Sequence, residues 1–275
     1  MGEYLLEVNG TPSSELKDPL QALVGKAGKT VSLVIAENAN GKNKRTVYVK
    51  PIEDESNLAY YEWVQTNIEK VNKLSGGEIG YIHIPDMSTE GLDMFTKLFY
   101  TQLDKKALII DDRMNGGGNV SPMILERLQR EVYRMNMHRN GINQTVPNEA
   151  FYGPKVCLID KYSSSDGDLF PYGFRQLGLG KLIGKRSWGG IVGISGSKSF
   201  VDGQDMRTPF FTSYSTEGEW IIEGHGVDPD IDVDINPFED WLGKDAQLEK
   251  AVEVLKEEMK SYKALPGTPA APVKN

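Results

Sequence analysis

The chain reads as an α/β protein, a βαβ-type core with a mixed sheet, preceded by a small β-rich module. Three observations predict this. Ala107-Leu108-Ile109-Ile110-Asp111 and Val156-Cys157-Leu158-Ile159 are continuous apolar runs, as expected of strands covered on both faces. Amphipathic helical patterns alternate with the strand-like runs of this larger part, which is the signature of a βαβ arrangement. Residues 1–52 hold several short strand patterns separated by turn residues, with too little apolar sequence to form a complete domain alone.

In the first part, Tyr4-Leu5-Leu6-Glu7-Val8 alternates like a strand and Asn9-Gly10 is a turn signal. Leu16, Leu20, Leu23 and Val24 fall at helical spacing, and Gly25 ends the pattern. Val31–Ile35 and Arg45–Val49 are two further strands around a polar loop. Residues 53–77 form a charged connector with a helix from Leu58 to Leu74. The core of residues 78–262 then opens on the strand Ile79–Ile84. A helix over Thr89–Leu103 presents Leu92, Phe95, Leu98 and Phe99 on one face. After the run 107–111 comes a helix over Val120–Met135. A strand at Val156–Ile159, a helix over 167–177 and a short strand Leu182–Gly184 follow. Residues 199–235 read as strands and turns, Ala246–Met259 as a closing amphipathic helix, and the Pro-rich tail 263–275 as disordered.

Composition narrows the function classes. The chain has 275 residues, 39% hydrophobic and 25% charged, an ordinary globular balance. Its net charge of −8 argues against nucleic acid as the main partner, since phosphate binding needs a basic face. No run approaches the ~18 apolar residues of a membrane-spanning helix. No signal segment opens the chain, although its start reads as internal. The single cysteine, Cys157, sits in an apolar run and reads as a small core residue.

Three polar segments could carry chemistry. Ser163-Ser164-Ser165-Asp166-Gly167-Asp168 follows a buried strand and opens a helix. There Ser165 would project as a nucleophile, and the Asp166 N–H would face a developing oxyanion at a helix N-terminus. The same residues also fit a simple helix cap. Asn115-Gly116-Gly117-Gly118-Asn119 has no Cβ over three residues, so backbone can approach a ligand closely. A phosphate loop fits poorly because the GxxxxGK[ST] pattern is absent and Asp111 and Asp112 would repel phosphate. An oxyanion loop and a plain tight turn both remain. Glu223, just before Gly224-His225-Gly226, could orient a histidine or a serine, or be a surface charge. The three histidines are His83, His138 and His225. His225 is the local candidate for a general base, with structural hydrogen bonding as its alternative. His83 reads as core or as support behind the site, and His138 as surface. These residues form no HExxH-like metal pattern.

Five blocks in order resemble the catalytic core of tricorn-type serine peptidases, relatives of the tail-specific, C-terminal-processing proteases. They are Gly80-Tyr81-Ile82-His83-Ile84-Pro85-Asp86-Met87, Asp112 to Asn119, Ser163 to Asp168, Gly184-Lys185-Arg186-Ser187-Trp188-Gly189-Gly190 and Glu223 to Ile231. Residues 1–52 resemble the later half of the PDZ module that precedes this core, with Tyr4 to Gly10 matching a strand and turn of it. The resemblance implies a crotonase-like fold and a serine peptidase that hydrolyses oligopeptides through an acyl-enzyme. It implies Ser165 as nucleophile, oxyanion donors at Asp166 and within Gly116, Gly117 and Gly118, and Glu223 in the charge-relay set. His225 and His83 stand as supporting candidates.

The resemblance further implies no metal, nucleotide or other cofactor, a peptide or unfolded polypeptide as substrate, and a parent protein that is a homo-oligomer. It implies a cytoplasmic setting, with periplasmic or exported relatives as the alternative. In the family, a serine–histidine pair lies in a helical segment before the PDZ module. The chain begins after that segment, so the expectation is a peptidase core that is weak or inactive alone, because a serine without its base is a poor nucleophile. A non-catalytic peptide-binding module is the other reading.

Overall fold

The computed structural model describes residues 2–194, 198–271 and 273. The chain divides into two compact units, Met1–Trp63 and Val64–Asn275.

The first unit is an antiparallel sheet of β1 (Tyr4–Val8), β2 (Thr11–Pro12), β3 (Val31–Ala36) and β4 (Arg45–Val49), in the order β2-β1-β3-β4. Asn9 and Gly10 both take positive φ, 50° and 80°, which the tight β1–β2 turn requires. Val8, Val31 and Ala36 are its buried apolar residues. The helix expected over Leu16–Val24 is corrected to a single 3-10 turn, Pro19–Leu23. Leu20 and Val24 are 66% and 78% exposed while Leu16 and Leu23 are half-buried, so the spaced apolar residues do not share one buried face.

Helix α1 (Ser56–Ser75) crosses the boundary between the units. The second unit continues with β5 (Ile79–His83), α2 (Thr89–Tyr100), β6 (Ala107–Asp111), α3 (Ser121–Leu128), β7 (Arg134–Met137) and β8 (Asn143–Val146). Next come β9 (Lys155–Ile159), α4 (Asp166–Gln176), β10 (Gly180–Gly184), β11 (Gly193–Ile194), β12 (Lys198–Ser199), β13 (Asp205–Met206) and β14 (Pro209–Phe211). Strand β15 (Ile231–Asp232), the short helix α5 (Pro237–Trp241) and α6 (Ala246–Ser261) complete it.

Five strands form one sheet in the order β15-β10-β9-β6-β5, and every pairing in it is parallel. Strands β5, β6 and β9 are buried along their whole length, as their mostly apolar sequence requires. Antiparallel pairing in this unit lies, among the described residues, in the ribbons β7–β8, β11–β14 and β12–β13. The edge of β5 is closed by a side chain. Gln102 accepts from the Tyr81 N–H and donates to the Tyr81 carbonyl, both at 2.8 Å, in place of a further strand.

The helix expected over Val120–Met135 is also corrected. It ends at Leu128, and Arg134–Met137 pairs with Asn143–Val146. Val132 and Met135 continue the spacing of Leu128, which is why the sequence reads as one helix. The turn at Asn140-Gly141, with Gly141 at φ 81°, folds the segment into a hairpin instead. The described tail residues hold neither helix nor strand, and Thr268 Oγ1 donates to Asn143 Oδ1 at 2.8 Å.

The parallel order places the turns after β5, β6, β9 and β10 at the same edge of the sheet, where the strands' carboxyl ends lie. The segments singled out above, 84–87, 112–119, 160–165 and 185–190, are these turns.

Candidate active site

Ser165 is the residue before α4 and adopts φ 57°, ψ −120°. A serine pays strain for such a backbone, and that cost is usual where a side chain must be presented at a sharp strand-to-helix turn. Its side chain caps nothing: no cap hydrogen bond is made by Ser165, and its Oγ has no partner among the described residues. Of the Ser-x-x-Asp capping pattern the serine side-chain bond is therefore missing, while the Asp168 carboxylate accepts a backbone hydrogen bond from Ser165. The carbonyl of Ser165 accepts from Asp168 and Leu169 N–H groups, tying the turn to the helix.

Asp166 turns its carboxylate away from this turn. It accepts from both the backbone N–H (3.0 Å) and the hydroxyl of Ser121, capping α3. Its own backbone N–H has no partner among the described residues and lies at the positive end of α4.

The glycine loop packs directly on the serine turn. A Cβ on Gly117 would lie 2.6 Å from Ser165 Cβ and 2.9 Å from Asp166 N. Gly118 is pressed against Met87 on its other side, where a Cβ would lie 1.9 Å from the Met87 carbonyl oxygen. Met87 bonds with the Gly117 carbonyl and the Asn119 N–H in a short parallel bridge. The N–H of Gly118 between them therefore faces away from Met87. It has no partner among the described residues. The three glycines thus differ. The Gly117 N–H is already bound by Asn115 Oδ1 at 2.9 Å, while Gly116 stands in open space with no atom near a Cβ.

Two buried groups hold the loop from behind. Arg113 is gripped by Asp111 and by Asp245, the N-cap of α6, and also donates to Gln247. Burial opposes ionisation of Asp111, but Arg113 outweighs it and holds the carboxyl below its usual range. Asp112 is the reverse case. Burial, with Asp111, Asp160, Asp166 and Asp168 nearby, pushes its carboxyl well above the usual range.

Glu223 is exposed, and its Oε2 accepts from the backbone N–H groups of Ile191 (2.6 Å) and Val192 (2.9 Å). Asp168 connects this loop to the serine helix. Its carboxylate accepts from Gly189 and Gly190 N–H groups, and the Gly189 carbonyl accepts from Gly224. Burial raises the Asp168 carboxyl despite these hydrogen bonds. No hydrogen bond joins Glu223 to Ser165.

None of the three histidines is hydrogen-bonded to Ser165 among the described residues. His225 is exposed and its Nε2 pairs with Asp228 at 2.7 Å. His83 is buried in β5, its Nε2 3.1 Å from the Arg113 carbonyl, and burial lowers its pKa so that it is neutral near pH 7. His138 lies in the hairpin turn, its Nε2 2.8 Å from Gln144 Oε1. Sequence reasoning gave no role to Asn115, Asp112 or Asp168. Their only signal was their place inside the glycine and serine motifs.

Ser165 thus stands on a strained turn beside backbone N–H groups that have no partner among the described residues, at the start of α4. Residues 78–233 match peptidase family S41, and residues 1–54 match the tricorn protease PDZ domain. The chain belongs to peptidase family S41. Within that family it is of the tricorn type. It is 36% identical over 263 residues to the tricorn protease of Thermoplasma volcanium, covering 96% of this chain and 25% of that protein. It is 40% identical over 216 residues to a putative tricorn-like protease C-terminal subunit of Sulfurisphaera tokodaii, covering 78% and 25%. Its fold superposes on the crystal structure of the tricorn protease with a TM-score of 0.88 at 34% identity, over 94% of this chain and 25% of that one. The chain thus spans about a quarter of the length of the curated relatives it matches.

Proposed function

We propose that residues 78–262 are a serine peptidase core that cleaves oligopeptides through an acyl-enzyme, with Ser165 as nucleophile. The observation that carries this reading is the Ser165 turn: a non-glycine residue at φ 57°, its hydroxyl uncommitted, set against Gly117 and the start of α4. Ser165 Oγ attacks the scissile carbonyl carbon and its proton passes to a general base. The oxyanion that forms is received by the N–H groups of Asp166 and Gly118. Gly117 is excluded as donor by its bond to Asn115, which leaves Gly118 favoured over the open Gly116. The base returns its proton to the leaving amine, and water then hydrolyses the ester.

In this reading the base belongs to the upstream helical segment that the family resemblance implies. His225 is engaged by Asp228, and His83 lies against the Arg113 carbonyl. Glu223, anchored by two backbone N–H groups, is suited to orient an incoming histidine or serine in a charge-relay set. The chain by itself is accordingly a slow peptidase. The reading keeps a cytoplasmic setting and an oligomeric parent protein as parts of the proposal. A purely peptide-binding role would leave the strained Ser165 turn without use.

The test is labelling with a fluorophosphonate, followed by mapping of the modified residue, in this chain and in a form extended upstream. Modification of Ser165 that is strong in the extended form, slow in the short one and lost in Ser165→Ala agrees with the proposal. No modification at Ser165 in either form sinks it.

A further inference from the structure

Asn115 lies between the glycine loop and the serine turn and is fully buried. Its amide nitrogen donates to the Ile84 carbonyl at 3.1 Å and to Asp112 Oδ1 at 2.9 Å. Its amide oxygen accepts from the Gly117 N–H at 2.9 Å, and its backbone carbonyl accepts from the Ser164 N–H at 2.9 Å. Gly167, in the first turn of α4, has to be a glycine, because a Cβ there would lie 2.4 Å from that same carbonyl oxygen. One residue therefore holds the loop on one side of the site and the turn on the other.

We propose that Asn115, seated on the buried acid Asp112, is the positioning residue of the oxyanion pocket: its amide oxygen withdraws the Gly117 N–H, while the Met87 bridge leaves the Gly118 N–H to the substrate. This deepens the reading of Ser165 as nucleophile and rests on it. The task needs a donor and an acceptor on one short side chain. An amide supplies both, whereas a carboxylate would lose the donor to Ile84 and Asp112. Asp112 has a matching chemistry. Its Oδ1 accepts from Asn115, its Oδ2 is buried with no partner, and the groups facing it are the carboxyls of Asp111, Asp160, Asp166 and Asp168. In such surroundings Asp112 serves as a neutral acid, a carbonyl acceptor for the Asn115 amide rather than a charge. An asparagine at 112 keeps that acceptor.

The experiment uses this 275-residue chain and two readouts. Backbone amide exchange followed by NMR compares Gly117 with Gly118 in the wild type. Gly117 should exchange about tenfold or more slowly than Gly118, and Asn115→Ala should abolish the difference. Equal exchange in the wild type, or protection of Gly117 that survives Asn115→Ala, overturns the proposal. The wild-type comparison decides the matter even where Asn115→Ala does not fold. The second readout is the rate of Ser165 phosphonylation. Asn115→Ala should slow it about tenfold or more, and Asp112→Asn, as the conservative replacement, should retain most of the rate while Asp112→Leu does not. A wild-type rate in folded Asn115→Ala overturns the positioning role, and equal loss in Asp112→Asn and Asp112→Leu overturns the neutral-acid seat. Absence of Ser165 labelling in both this chain and the form extended upstream defeats the nucleophile assignment alone, since amide exchange still reports on Asn115.

Discussion

Gly117 and Ser165 meet with no room for a side chain between them: a Cβ on Gly117 would stand 2.6 Å from the Ser165 Cβ and 2.7 Å from the Ser164 carbonyl oxygen. The contact fixes the distance between the two turns that make the pocket. Gly117 also sits at φ 94°, where an L side chain is strained whatever the space. Gly117→Ala should therefore lose Ser165 labelling by at least about a hundredfold, since a 1 Å misplacement at a reacting centre costs that much. A labelling rate near wild type in Gly117→Ala would mean that the two turns do not act together.

Ser165 carries a cost to stability for its position. Relieving a non-glycine residue from such a backbone is worth about 1–3 kcal/mol. Ser165→Gly should raise the melting temperature while removing the proposed nucleophile, and Ser165→Ala should remove the same hydroxyl without that gain. Equal melting temperatures for the two variants would show that the turn is unstrained.

Arg113 joins β6 to the start of α6 through a fully buried ion-pair network with Asp111 and Asp245. Its removal leaves two acids buried without their cation, a loss of about 3–5 kcal/mol. Arg113→Ala should unfold the second unit at correspondingly lower denaturant. Arg113→Lys should recover only part, because the donors to Asp111, Asp245 and Gln247 form a fork that an ammonium does not reproduce. Urea midpoints of the three proteins measure this directly.

Lys155 opens β9 almost fully buried, with the Gly153 carbonyl as its hydrogen-bond acceptor and the Phe151 ring 5.4 Å from its ammonium. Burial lowers its pKa to about 8. Because the folded pKa is depressed below the unfolded 10.5, the folded chain holds fewer protons between these values, so stability rises with pH across that window. Lys155→Met should then be more stable than wild type near pH 7, by roughly 1–3 kcal/mol, with the difference fading above about pH 10. A difference independent of pH from 7 to 10 would assign the effect to packing instead.

The strands of the core were legible because their burial is written into apolar runs: 107–111 and 156–159 are buried at every position. Helix α4 was legible because the acids and glycine at its start mark an N-terminus. The stretch 120–135 misled because Val132 and Met135 fit helical spacing, while the pairing that overrides it comes from residues 143–146. Leu16–Val24 misled because spacing alone does not say whether there is a core to cover.

By itself, the sequence determined the βαβ order, the glycine loop and the serine at a helix start, since these depend on local pattern and on residues that lack or carry particular side chains. Which glycine N–H is bound inside the loop and which is turned outward was decided only in three dimensions, where Asn115 takes Gly117 and Met87 turns Gly118 outward. The same holds for the state of Asp112 and for the separation of His225 from Ser165. Hydrogen bonds and charges act through space between segments far apart in the chain, and no local pattern records which of them will be brought together.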